Sequence, residues 1–319
     1  LTWATVSVDS RLWPAVLCMS GALAVLCAAR GNARRRLALL SFTLGLALAV
    51  ALSLTGPARR YPRAVFFDVG QGDSILLELP WRRHVLVDAG PGPGAVGPRA
   101  AREHDRRGRA SLYRPWDAGA KVIVPYLRRA GVRRLEALIV THAHSDHVGG
   151  AAAVLASMET GLLVLPRGEL GNGAFAPLVD LADEKGTRVV EAAAGDTLRI
   201  GRYGLAVLWP GSGRADRRAS AAGPRASRAG RSRGEADPDA DTGSTVNRSS
   251  SVNNSSIVIR TELAGSALLL TGDIESAVED SLVNAGALSR AAVLKVAHHG
   301  SSTSSTGPFL RAVRPRVAV

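Results

Sequence analysis

His142-Ala143-His144-Ser145-Asp146-His147 follows the apolar run Leu135-Glu136-Ala137-Leu138-Ile139-Val140-Thr141 and places three imidazoles and a carboxylate within six residues. Imidazole and carboxylate at alternate positions of an extended or looping segment can point the same way. His142 and His144 can therefore chelate one ion while Asp146 and His147 take a second. The chain has only seven histidines, and five of them lie here or in the pair His298-His299. A lone histidine is usually a satisfied core side chain. Four ligand-type groups this close would be costly to keep crowded together with no cation among them.

Upstream of this stretch, short apolar runs are separated by glycines. Ala64 to Asp68, Ser74 to Leu79 and His84 to Asp88 read as three strands of a meander, with turns at Gly70-Gln71-Gly72-Asp73 and Pro80-Trp81-Arg82-Arg83. A long polar loop follows to about Gly119, and a helix is expected over Lys121 to Ala130, closed by Gly131. Downstream, a helix near Ala151 to Met158 precedes a strand, helix and strand at Leu162 to Leu165, Phe175 to Glu184 and Thr187 to Glu191. Two further strands are expected at Thr197 to Ile200 and Tyr203 to Trp209.

Residues 211–251 differ in kind: arginine-rich, then acidic, with almost no large apolar side chain. They read as a disordered insertion, unable to bury enough surface to fold alone. Order is expected again from Asn253, with a hairpin delivering Thr271-Gly272-Asp273 and a later strand delivering Lys295-Val296-Ala297-His298-His299. Each polar cluster falls at the C-terminal end of a strand, where loops of open sheets gather their chemistry.

The first 56 residues differ from the rest. Residues 12–29 and 37–56 carry no charge and approach or reach the length that crosses a bilayer, with Arg30, Arg34, Arg35 and Arg36 between them. They read as a membrane hairpin spanning 1–56, ahead of a domain over 61–319. The arginines of the connection lean it toward the cytoplasm and the following domain toward the outer face. Only three of the 40 basic residues are lysines, so the formal charge of +13 reflects a compositional bias toward arginine as much as a polyanionic partner. Both cysteines, Cys18 and Cys27, lie in the first apolar stretch. Any ion in the later domain must be held by nitrogen and oxygen.

The chain from about Ala64 resembles the metallo-β-lactamase superfamily in its Asp88 after a strand, its His142-x-His144-x-Asp146-His147 and its Thr271-Gly272-Asp273 with a late histidine. Asp68-Val69-Gly70-Gln71-Gly72-Asp73-Ser74, Asn253-Asn254-Ser255-Ser256 and Lys295 to Ser302 are similar, more closely, to the C-terminal domain of ComEC-type competence proteins. The resemblance implies an α/β fold, an αββα sandwich preceded by transmembrane helices. It implies two divalent ions, Zn or Mn, held by His142, His144, Asp146, His147 and the His298-His299 pair, with the two oxygens of Asp273 bridging. No histidine lies between His147 and His298, so the usual third ligand of the first ion is absent from the middle of the chain. His298, His299, water or a residue beyond Val319 would have to supply it, since the family resembles a longer chain.

In this reading Asp146, His298, His299 and Asp88 are the catalytic candidates. Asp88 either orients a ligand or water, or caps the following turn. Ser301 and Ser302 either hold a phosphate or cap the next helix, and Asp73 serves a turn with contact to the site. The implied function is a metal-dependent phosphodiesterase or nuclease in a multi-pass cell-membrane protein for DNA uptake, with DNA, membrane lipid and other competence-machinery proteins as partners. A small-molecule hydrolase of a lactam, lactone or thioester, or a non-catalytic DNA-guiding domain, are the competing readings.

Overall fold

A computed structural model of the chain describes residues 20, 21, 23, 31–54, 61–93, 116–211 and 251–319. The chain divides into two compact units, Leu1–Arg60 and Tyr61–Val319. In the first, helix α1 covers Asn32–Leu54, beginning ahead of the expected second span and taking in arginines of the expected connection. Leu37, Leu39, Leu40 and Leu44 stand exposed along it. Among the described residues no helix is long and apolar enough to cross a membrane, so the expected pair of spans is not found there. The expected first span lies almost wholly outside the described residues, as does the expected insertion.

The second unit is built on two six-stranded sheets. Strands β1 (Arg63–Phe66), β2 (Ile75–Leu79) and β3 (Arg83–Val87) form the antiparallel meander. Parallel neighbours β4 (Arg134–Ile139), β5 (Glu159–Pro166) and β6 (Arg188–Ala192) extend it. The second sheet pairs β7 (Thr197–Ile200), β8 (Tyr203–Trp209), β9 (Val258–Leu263) and β10 (Ser266–Leu270) antiparallel. It then adds β11 (Val293–Leu294) and β12 (Val317–Ala318) in parallel.

Alternation along the strands sorts the side chains into layers, because successive residues face opposite sides of a sheet. On β2, Ile75, Leu77 and Leu79 enter the core between the sheets while Leu76 enters the core beneath the helices. That outer core is closed by α2 (Val124–Arg129), continuing from a π turn at Gly119–Ile123, and by α4 (Ala151–Ser157) and α5 (Ala176–Glu184). The short helix α3 (Ser145–Val148) lies inside the histidine-rich stretch itself. On the far side, α6 (Ser276–Asn284) and α7 (Gly307–Val313) bury Val278, Leu282, Phe309 and Val313 against the second sheet. The result is the expected αββα layering. The C-terminal ends of β3, β4, β10 and β11 and the start of β9 come out at the same edge.

Candidate metal centre

Backbone contacts lock the loops at this edge together before any side chain is considered. Ala89 N donates to His147 O, Gly90 N to Asp73 O and Asp73 N to Asp146 O. Gly72 has φ +124, and a Cβ there would stand 2.1 Å from Asp146 O. Both observations demand glycine, since an L side chain would strain the turn and push the histidine-rich loop outward. Asp88, His298 and His299 adopt left-handed backbone, with φ of 57°, 48° and 51°. Non-glycine residues hold such conformations, at about 1–3 kcal/mol each, where their surroundings over-determine them.

The imidazoles are oriented from behind. Asp88 is buried and accepts from Thr141 N at 2.7 Å and Thr141 Oγ1 at 2.8 Å, and its Oδ2 lies 2.9 Å from His147 Nδ1. An Nδ1–H bonded to that carboxylate leaves the lone pair of His147 on Nε2, which fixes the tautomer a metal needs. His142 Nδ1 lies 3.0 Å from Thr141 Oγ1 and 3.2 Å from Ser256 Oγ, so its Nε2 also points inward.

On the inner side, nitrogen and oxygen donors converge. His147 Nε2 and His299 Nε2 are 3.3 Å apart. Asp273 Oδ2 is 3.2 Å from the first and 3.3 Å from the second. Asp146 Oδ2 lies 3.4 Å from His299 Nε2 and 4.0 Å from His147 Nε2. Four ligands each ~2.0–2.1 Å from a tetrahedral ion stand about 3.3 Å from one another, so this set is close to the spacing a single ion requires. A second set adjoins it: His142 Nε2 and His144 Nδ1 are 3.2 Å apart, and Asp273 Oδ2 is 3.9 Å from His142 Nε2. Asp273 Oδ2 thus borders both sets.

Asp73, His147, Asp273 and His299 also bring donor atoms within 4.8 Å of one another. Asp73, however, meets the Nδ1 edges of His147 and His299, at 3.7 Å from each. With His147 Nδ1 engaged by Asp88, the lone pair available to an ion is on the other edge, where Asp146 and not Asp73 stands.

Electrostatics follow the same partition. Burial would lower His147, yet the charge of Asp88 and the hydrogen bonds to Asp273 and Asp88 push it up to about 10. Hydrogen bonds to Asp146 and Asp273 raise His299 to about 9 against the effect of burial. Burial would raise the Asp273 carboxyl, but His147, His299 and Lys295 hold it far below the usual carboxylate range. Burial is what lowers His142 and His144, aided for both by the neighbouring imidazolium of His147. The cluster is therefore a sink for positive charge, filled by protons when no cation is present.

Three features depart from the expectations drawn from the sequence. Lys295, buried at the end of β11, ion-pairs with Asp73 and lies 3.3 Å from Asp273 Oδ1 and 3.0 Å from Gly272 O. It occupies the second oxygen of Asp273, so only Oδ2 is left to face the imidazoles. Its signal was a lysine, scarce in this chain, three residues before the histidine pair. The pair itself divides. His299 joins the cluster, whereas His298 turns its ring to Asn253, Glu275 and Thr303, with Nδ1 3.5 Å from Glu275 Oε1 and 3.3 Å from Thr303 Oγ1. Consecutive left-handed residues send the two rings in different directions, a turn that composition does not announce. Finally, Ser301 bonds within its own loop to Thr303, and Ser302 is exposed.

Replacing Lys295 by Met should destabilise the metal-free chain by about 3–5 kcal/mol, because it strands two carboxylates at a largely buried site. The loss should shrink in excess Zn²⁺, as an ion takes over the neutralisation of Asp273. Thermal unfolding with and without metal reads both effects.

Residues 67–159 match the metallo-beta-lactamase superfamily. The chain is 31% identical over 253 residues to "ComE operon protein 3" of Bacillus subtilis, covering 79% of this chain and 27% of that protein. It is 30% identical over 292 residues to "Competence protein ComA" of Neisseria gonorrhoeae, covering 89% and 31% respectively. "Recombination protein 2" of Haemophilus influenzae is 28% identical over 221 residues, 67% of this chain and 22% of that one. The chain thus spans less than a third of the length of each of these relatives.

Proposed function

Since this chain belongs with the ComEC-type proteins that carry a metallo-β-lactamase domain, we propose that it is a metal-dependent phosphodiesterase acting on DNA during uptake. The observation that carries this reading is the pair of adjoining donor sets that meet at Asp273 Oδ2. Divalent ions bound in such sets would supply an acidified water and positive charge for the phosphoryl and leaving oxygens.

The chain's own residues divide the remaining work. His142 and His144 would hold one ion; Asp146, His147 and His299 would hold the other. Asp88 and Thr141 keep His147 in its ligating tautomer. The buried His142, His147, Asp88 and Asp273 form the floor. Asp146 and His299, with side chains 34% and 24% exposed, form the mouth where a phosphodiester would enter. His298 acts as a positioning residue through Asn253 and Glu275. An arginine-rich chain of formal charge +13 favours a polyanionic substrate. Other competence-machinery proteins as partners accord with the name of the Neisseria gonorrhoeae relative, and a place at the cell membrane remains part of this proposal.

Purified chain should cut linear DNA when given Mn²⁺ or Zn²⁺, and chelation should stop it. Hydrolysis of a lactam, lactone or thioester with no action on DNA would move the site to the small-molecule class. DNA binding without cleavage under either metal would make it a guiding domain.

A further inference from the structure

The donor set around His142 and His144 is one short. His142 Nε2, His144 Nδ1 and Asp273 Oδ2 make three, against four for Asp146, His147, His299 and Asp273. Beside it lies Asn253, 1% exposed, just ahead of β9. Its amide nitrogen is committed: Nδ2 donates to Glu275 Oε1 at 3.1 Å and lies 3.4 Å from His298 Nε2. The carboxylate of Glu275 can only accept from it, which settles the orientation of the amide. Asn253 Oδ1 is thereby turned away from Glu275, and among the described residues it is buried with no hydrogen-bond partner. A buried acceptor left without a partner costs about 1–3 kcal/mol. The same amide stands close enough to the His144 ring to push its pKa upward, against the larger lowering by burial.

We infer that Asn253 Oδ1 is a ligand of the ion held by His142 and His144, a neutral carbonyl oxygen completing that set with Asp273 Oδ2. This rests on the metal-centre reading above and goes beyond it. It gives the orphaned oxygen a partner and explains why Glu275 and His298 grip the far end of the amide. It also makes the two sites unlike. A carbonyl oxygen is a harder and weaker donor than an imidazole, so this ion is held less tightly and the preference for Zn²⁺ over Mn²⁺ is relaxed.

Equilibrium dialysis of the full chain against Zn²⁺, and separately Mn²⁺, with bound metal counted by mass spectrometry, tests this without reference to activity. Wild type should take two ions of unequal affinity. Asn253→Ala should weaken the looser ion at least tenfold and leave the tighter one unchanged. Asn253→His should tighten the looser Zn²⁺ at least tenfold and raise its preference for Zn²⁺ over Mn²⁺. Two ions bound by Asn253→Ala with wild-type affinities, or both weakened equally, would overturn the inference while leaving the metal centre intact. If Asn253→Ala fails to fold, an unchanged Zn²⁺ affinity in Asn253→His overturns it. Wild type that takes up no ion would overturn the metal-centre reading and this inference together.

Discussion

Asp146→Ala and Asp273→Ala should both reduce metal-dependent phosphodiester hydrolysis by about a thousandfold or more, yet only the second should unfold easily. The contrast follows from where each carboxylate sits. Asp146 stands at the mouth, about one-third exposed, and faces His147 and His299 on the inner side. Removing it deletes one ligand of one ion, and water can replace its contacts. Loss of an ion that activates water or stabilises a phosphoryl oxygen removes several kcal/mol of transition-state stabilisation, and each ~1.4 kcal/mol is tenfold in rate. Asp273 is 2% exposed and faces His142, His147, His299 and Lys295. Its removal leaves Lys295 and the protonated imidazoles with one fewer counter-charge in a buried site, at about 3–5 kcal/mol. Metal content should separate the variants again: Asp146→Ala retains one ion and Asp273→Ala neither. Wild-type turnover in Asp146→Ala would sink the assignment of that residue to the centre.

The sandwich was legible because its strands obey a period of two and its helices are bounded by glycine. Thr197–Ile200 and Tyr203–Trp209 fall where the sequence places them, and the meander from Arg63 to Val87 is written in its glycine and proline turns. The donor types at the site were legible because histidine is scarce and clustered. What was not legible is angular. Nothing in His298-His299 states that two successive left-handed residues send one ring to Asp273 and the other to Glu275. Nor does a lysine before the pair reveal that it takes one oxygen of Asp273, which depends on β11 lying beside β10 in parallel. Asn253 was visible only as part of a motif. Its orphaned oxygen comes from the register that seats it between His144 and Glu275. The membrane reading rests on uncharged runs with arginines between them and falls largely outside the described residues; among those described, no helix is long and apolar enough to cross a membrane, and α1 takes in arginines of the connection expected to separate the spans.

Metal uptake by the Asp146, His147 and His299 set should release close to two protons at pH 7, and its affinity should fall about a hundredfold for each pH unit below neutrality. In the metal-free chain His147 is raised to about 10 and His299 to about 9, chiefly by Asp88, Asp146 and Asp273, so both rings carry a proton at pH 7. A ligating imidazole must be neutral, hence each ring surrenders one proton when an ion binds. Two protons in competition with one ion give two decades per pH unit. The sign for stability is opposite without metal. Groups whose folded pKa lies above the unfolded value of 6.5 contribute stability that is fully present below that value and is lost as pH rises through about 9 to 10. The metal-free chain should therefore weaken between pH 7 and pH 10, because the carboxylates around Asp273 lose the protons that neutralise them. The metal-loaded chain should hold its stability across that window, since the ion supplies the same charge without titrating. Calorimetric titration of Zn²⁺ in two buffers of different ionisation enthalpy counts the protons, and melting curves at pH 7 and pH 10 with and without metal read the crossing. Metal uptake with no proton release would mean the ion binds elsewhere than on these two rings.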